Sequence, residues 1–129
     1  NAHVRYLAAP ASLDSMPVAG SIEDHSTMAT AVAGKLEDQI ETCEQILAIE
    51  LLTASQAIGL REGVTLGRGT GGAYRHLRSV IPFIDEDRNL SLDVAAICAL
   101  VRDGSLREAV ARTGAAAAIA TATRQLTSP

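Results

Sequence analysis

Between His25 and about Leu60 the chain carries no proline, and apolar residues recur at Met28, Val32, Leu36, Ile40, Cys43, Leu47, Leu51, Ala54 and Ile58. Steps of three and four residues place them along one face of a helix. Lys35, Glu37, Asp38, Glu41 and Glu44 fall off that stripe. Further on, Ile46, Ile49 and Leu52 widen it until it nearly encircles the helix, the pattern of an element covered on all sides. Gly59 and Gly63 offer places to stop. A helix of about 36 residues is about 54 Å long, whereas a compact globule of this chain length is about 36 Å across. The helix therefore either breaks near Gly34 or packs against partner chains. Glu50 lies in its most apolar stretch, where it either meets a cation or donor across a helix contact or occupies a narrow exposed strip.

Shorter helical patterns follow. Residues 61–72, REGVTLGRGTGG, read as a loop. Gly67, Gly69 and Gly72 match the spacing of a dinucleotide-binding turn, but that turn needs a buried strand before it, and here a helix precedes it. The glycines are better suited to turning the chain back. Residues 70–80 form an amphipathic helix with Ala73, Leu77 and Val80 inward and a solvated basic face of Arg75, His76 and Arg78, ended by Pro82. Asp85, Glu86 and Asp87 lack the glycine-containing spacing of a calcium loop and read as a solvated turn. Ser91 or Asp93 can cap a helix over 92–103 with Val94, Ile97, Cys98 and Val101 inward. Ser105-Leu106-Arg107-Glu108 has the form of a capping box opening a helix over 105–112. Residues 113–129 read as a frayed or disordered tail, and residues 1–22 as a loop. The expectation is an all-α segment, one long helix preceded by a loop and followed by three short helices, with no strand.

Composition narrows the function classes. The chain has 129 residues, 47% of them hydrophobic but only 2% aromatic, so Ala, Leu, Ile and Val supply a core suited to close helix packing. A net charge of −4 speaks against general affinity for nucleic acid or an anionic membrane. No apolar run in these residues is long enough to span a bilayer, and no basic-then-apolar signal-peptide pattern is read among them, so a protein without either is expected. Cys43 and Cys98 both fall in apolar helical patterns and read as small buried hydrophobes of a reduced, cytoplasmic protein, not as a disulfide or metal site.

At the start of the long helix sit Glu23, Asp24 and His25. A carboxylate at a helix N-terminus is held ionised by the dipole and can be presented to a ligand, and Ser21 and Asp24 can equally serve as plain caps. The stretch Pro10-Ala11-Ser12-Leu13-Asp14-Ser15-Met16-Pro17 running into Glu23-Asp24-His25 resembles the C-terminal portion of the histidine and phenylalanine ammonia-lyase family. Leu47-Ala48-Ile49-Glu50-Leu51-Leu52, Gly69-Thr70-Gly71 and Val80-Ile81-Pro82-Phe83 with Asp87-Arg88 follow in the family's order, so that the resemblance covers roughly Leu7 to Arg112.

The resemblance implies elimination of ammonia from histidine or an aromatic amino acid, driven by a methylidene-imidazolone that the family makes from an Ala-Ser-Gly triplet. This chain contains no such triplet, so no catalytic residue, cofactor or metal is expected within it. What the resemblance assigns is substrate binding by Glu23, whose carboxylate can accept a hydrogen bond from imidazole, where phenylalanine- and tyrosine-specific members carry glutamine. Ile22, next to it, departs from the amide usual in histidine lyases, and a related aminomutase also carries Glu at this place. The implied partners are an amino-acid substrate, the missing N-terminal part of the enzyme, and copies of the chain in a homodimer or homotetramer. The other readings are a non-catalytic helical oligomerisation module and a fragment of a related tyrosine-type aminomutase.

Overall fold

The computed structural model describes residues 2–11, 28–115 and 117, and every regular element among them is helical. The order is α1 (Ala2–Leu7), α2 (Ala29–Gly59), α3 (Arg68–Val80), α4 (Ser91–Arg102) and α5 (Ser105–Ala111). The expected all-α class, with one long helix and three short ones after it, is what the chain adopts. Residues 2–7, expected as loop, are helical. The long helix runs unbroken through Gly34, where a Cβ would meet nothing within 4 Å. Residues 118–129, most of the expected tail, lie outside the described residues.

The chain divides into two compact units, residues 1–46 and 47–129. In the first, α1 and the segment after it lie along the early turns of α2. Lys35 Nζ donates to the Ala9 carbonyl at 2.9 Å and Gln39 Nε2 to the Leu7 carbonyl at 2.8 Å. Those carbonyls end a six-residue helix and have no further turn to receive them, so side chains one turn apart on α2 satisfy them. Leu7 and Ala11 are buried, while Val32, Leu36 and Ile40 are about half exposed.

The second unit holds the larger core: Ala48 and Leu52 from α2, Leu77 and Ile81 from α3 and its end, and Ile97, Cys98 and Leu100 from α4. Ile81 and Ile97 are the largest fully buried side chains, each worth about 1.5–3 kcal/mol of transfer free energy. Pro82 stops α3 as expected, but Ile81 takes the inward place given to Val80, which is 45% exposed. Cys43, expected inside, is exposed, and only Cys98 is buried. Glu50 is exposed in this chain.

Helix starts differ from the expected caps. Neither Ser91 nor Asp93 caps α4. The acceptor is Asn89 Oδ1, which receives the Ser91 N–H at 3.0 Å and its hydroxyl at 2.7 Å. Likewise the Ser105–Glu108 box does not form. Asp103 Oδ1 receives the Ser105 N–H at 2.8 Å, and Glu108 lies 3.7 Å from Arg112.

The glycine-rich stretch is helix from Arg68 onward, two residues earlier than expected. Gly72 is there for contact with α5 and not for turning. A Cβ on it would lie 2.6 Å from Thr113 Cγ2 and 2.9 Å from the Ala109 carbonyl oxygen, closer than a side chain can come.

Candidate functional site

Glu23 and Ile22, the substrate-binding residues expected from sequence, lie outside the described residues, as do Asp24 and His25. What the first unit does place is the approach to them. Pro10 and Ala11, which open the Pro-Ala-Ser motif, line a groove of about 320 Å³ together with Leu7, Val32, Lys35 and Leu36. Its walls are apolar, and its two polar side chains, Lys35 and Gln39, are already engaged with the Leu7 and Ala9 carbonyls. Among the described residues the groove thus presents no side-chain amide or ammonium free of a backbone partner.

The second unit gathers polar chemistry that the sequence reading had assigned to solvent. Arg78, expected on a solvated basic face, is half buried between two rings, with its guanidinium carbon 5.7 Å from the Tyr74 centroid and 5.5 Å from that of Phe83. Two of the chain's three aromatic residues thus flank one cation. Arg78 Nη1 donates to the Pro82 carbonyl at 3.0 Å and Nη2 to Gln56 Oε1 at 3.2 Å. Gln56 in turn clasps Ile84 from both sides, receiving its N–H at 3.1 Å and donating to its carbonyl at 2.7 Å. The segment after α3 lacks helical partners for its backbone, and the α2 amide supplies them.

The same segment is pinned again at its far end. Arg88 Nη1 donates to Asp93 Oδ1 at 2.9 Å, and Oδ2 lies 2.7 Å from the same nitrogen. The Asp93 side chain is 8% exposed and that of Arg88 33%, so this is a nearly dry carboxylate held by a cation that still reaches the surface. Asp93 also sits in the first turn of α4, where the dipole favours a negative charge. Asp85, Glu86 and Asp87 are exposed, and Asp85 Oδ1 receives the Glu86 N–H at 3.0 Å to close a turn.

At the α4–α5 junction the Ser105 backbone N–H and then its hydroxyl hold the Asp103 carboxyl below its usual range, with His76 adding a smaller electrostatic pull. An apolar pocket of about 180 Å³ lies between Leu51, Ser55, Ile58, Ala73, Tyr74 and Leu106. Ser55 Oγ donates to the Leu52 carbonyl at 2.8 Å and Thr70 Oγ1 to the Gly67 carbonyl at 3.0 Å, so both of these hydroxyls are engaged on backbone. Among the described residues no three His, Cys, Asp or Glu side chains converge as metal ligands. No described helix is long and apolar enough to cross a membrane. Gln56, Arg78, Asn89 and Asp103 each bond main-chain groups in this unit, and Glu23, for which substrate binding is expected, lies outside the described residues.

The chain is similar to known proteins along most of its length. The family model for aromatic amino acid lyase matches residues 1–79. The histidine ammonia-lyase of Caldanaerobacter subterraneus subsp. tengcongensis is 39% identical over 85% of this chain. That of Stigmatella aurantiaca is 41% identical over 84%. The crystal structure of histidine ammonia-lyase from Trypanosoma cruzi superposes with a TM-score of 0.79 at 31% identity, covering 87% of this chain and 23% of that one. The ergothioneine-degrading enzyme ergothionase from Treponema denticola gives 0.71 at 38% identity, covering 79% of this chain and 20% of its own. The chain spans 22% and 21% of the length of the two curated relatives. By sequence and by fold, the chain belongs to the aromatic amino acid lyase family.

Proposed function

We propose that these residues form the C-terminal segment of an amino-acid ammonia-lyase that eliminates ammonia from histidine or an aromatic amino acid. In this reading Glu23, with Ile22 beside it, lines the substrate pocket, and α2 is the helix through which copies assemble. The observation that carries it is the similarity to histidine ammonia-lyases along most of the chain, together with the match to the aromatic amino acid lyase model. Glu23 favours histidine because a carboxylate bonds an imidazole N–H more strongly than an amide does. The methylidene-imidazolone of the family would come from polypeptide other than these 129 residues, which hold no Ala-Ser-Gly triplet. A second reading, a helical oligomerisation module, is favoured by the apolar residues that α2 leaves exposed.

Two assays separate these readings. The 129 residues alone should release no ammonia from histidine, phenylalanine or tyrosine and no trimethylamine from ergothioneine. Grafted in place of the matching segment of the Caldanaerobacter enzyme, they should support urocanate formation from histidine. In that chimera Glu23→Gln should lower kcat/KM for histidine about ten- to a hundredfold, the loss of one charge-assisted hydrogen bond of about 1.5–3 kcal/mol. An unchanged preference for histidine over phenylalanine would reduce Glu23 to a helix cap. A chimera that assembles but turns over none of the four would favour the module.

A further inference from the structure

Asp103 is the one aspartate of the chain followed by glycine, and neither asparagine is. Among aspartates, one that precedes glycine is the most open to cyclisation, because no side chain on the next residue shields its amide nitrogen. Asp103 is exposed, so water reaches it. Yet the local geometry opposes the reaction. Asp103 has helical torsions, φ −76° and ψ −10°. Ring closure requires the Gly104 nitrogen to eclipse Cβ, whereas at this ψ it nearly eclipses the aspartate's own nitrogen, leaving Cβ roughly a third of a turn away about the tetrahedral Cα. The carboxylate is also turned elsewhere, onto the Ser105 N–H at 2.8 Å, and Gly104 N–H is directed to the Val101 carbonyl at 3.3 Å.

We propose that the Asp103–Gly104 bond is an isoaspartate-forming site that the docking of α5 on α3 keeps closed. Turning ψ of Asp103 toward the reactive angle swings Gly104 and everything after it. Gly104 already sits at φ +78°, a conformation open to glycine, so the obstacle to that swing is α5 itself. α5 is held where Ala109 and Thr113 close over Gly72. When α5 lifts, the Gly104 nitrogen attacks Asp103 Cγ, an N–Cγ bond forms, and the carboxyl oxygen leaves as water. Water then adds at the former main-chain carbonyl of Asp103 and breaks its bond to nitrogen. The chain now runs through Cβ and Cγ with the α-carboxylate pendant, the mass is unchanged, and no oxidant or reductant takes part. One added methylene in the turn and a displaced acceptor leave Ser105 uncapped, so a transient opening becomes permanent.

The test is ageing of the full chain near neutral pH, with the isomers of the tryptic peptide Asp103–Arg107 separated by chromatography and assigned by electron-induced fragmentation. The folded chain should form isoaspartate at least about tenfold more slowly than the urea-unfolded chain, equal to about 1.4 kcal/mol of local opening. Gly72→Val, which drives a side chain into Ala109 and Thr113 far from the reacting atoms, should raise the rate toward the unfolded value. Equal rates in folded and unfolded wild type would overturn the proposal. So would a wild-type rate in Gly72→Val when hydrogen exchange shows the α5 amides released. Should Gly72→Val unfold the whole chain, wild type in graded urea decides. There the rate must rise together with exchange of the α5 amides, and a rate that stays flat while α5 opens would also overturn the proposal.

Discussion

The Arg88–Asp93 pair shows how unequal the two members of an ion pair can be. Asp93 is nearly dry, while Arg88 keeps a third of its side chain in water. Truncating Asp93 leaves a cation that can turn to solvent. Truncating Arg88 leaves a buried carboxylate with no counter-charge, the costly case. Arg88→Ala should therefore destabilise the second unit by about 2–4 kcal/mol and Asp93→Ala by about 1 kcal/mol, read from urea midpoints followed by helical circular dichroism. Equal losses would mean that Asp93 is hydrated in solution. Asp87-Arg88 was visible in the sequence as a short motif, but its pairing was not. Asp93 was assigned to the helix cap, a role its spacing allows, and only the fold shows that Asn89 has taken the cap and freed Asp93 for Arg88. The missed signal is local and repeated: Asn89-Leu90-Ser91 and Asp103-Gly104-Ser105 each put an Asx oxygen two residues ahead of the first helical N–H.

For whole elements, α2, α3 and α4 were legible because apolar residues at helical spacing run through each of them, whereas α5 was read from a capping box that does not form. α1 was not, since six residues carry too few turns to establish a period. The glycine-rich start of α3 was misread because glycine disfavours helix interiors by about 1 kcal/mol each, and three of them outweigh any local pattern. Tertiary contact reverses that preference at Gly72, whose lack of a side chain lets α5 approach. Gly72→Ala pits two effects against each other. Helix propensity gains about 1 kcal/mol, and a methyl forced against Thr113 and Ala109 costs about 1–3 kcal/mol. The steric term should win, with a net loss of about 1–2 kcal/mol in urea unfolding. Adding Thr113→Ala should recover only part of it, because the Ala109 carbonyl oxygen, 2.9 Å from the new Cβ, is backbone and stays. A stabilised Gly72→Ala would mean that α3 and α5 stand further apart than described.

At the scale of the whole molecule, the polypeptide divides into two compact units, and the curated relatives it matches are about five times longer. The apolar stripe of α2 leads to the expectation that something covers it, but periodicity carries no information on whether that cover is the chain's own. Cys43 shows the consequence, reading as enclosed and lying exposed. In the first unit α2 exposes Val32, Leu36 and Ile40, and in the second Leu47 and Ile49, each between 42% and 54%. Covering one such side chain recovers about 1 kcal/mol, so the five on each of two copies come to about 10 kcal/mol. Association itself costs about 4–15 kcal/mol, which places self-assembly near balance and makes it depend on concentration. Light scattering coupled to gel filtration should therefore show a mass above 13.4 kDa in the micromolar range that falls on dilution. Leu36→Glu with Ile40→Glu should shift the chain to monomer while leaving helical circular dichroism intact, because neither side chain belongs to the core. A 13.4 kDa species at every concentration, unchanged by the double variant, would mean that α2 needs the remainder of a lyase chain and not a second copy to cover it.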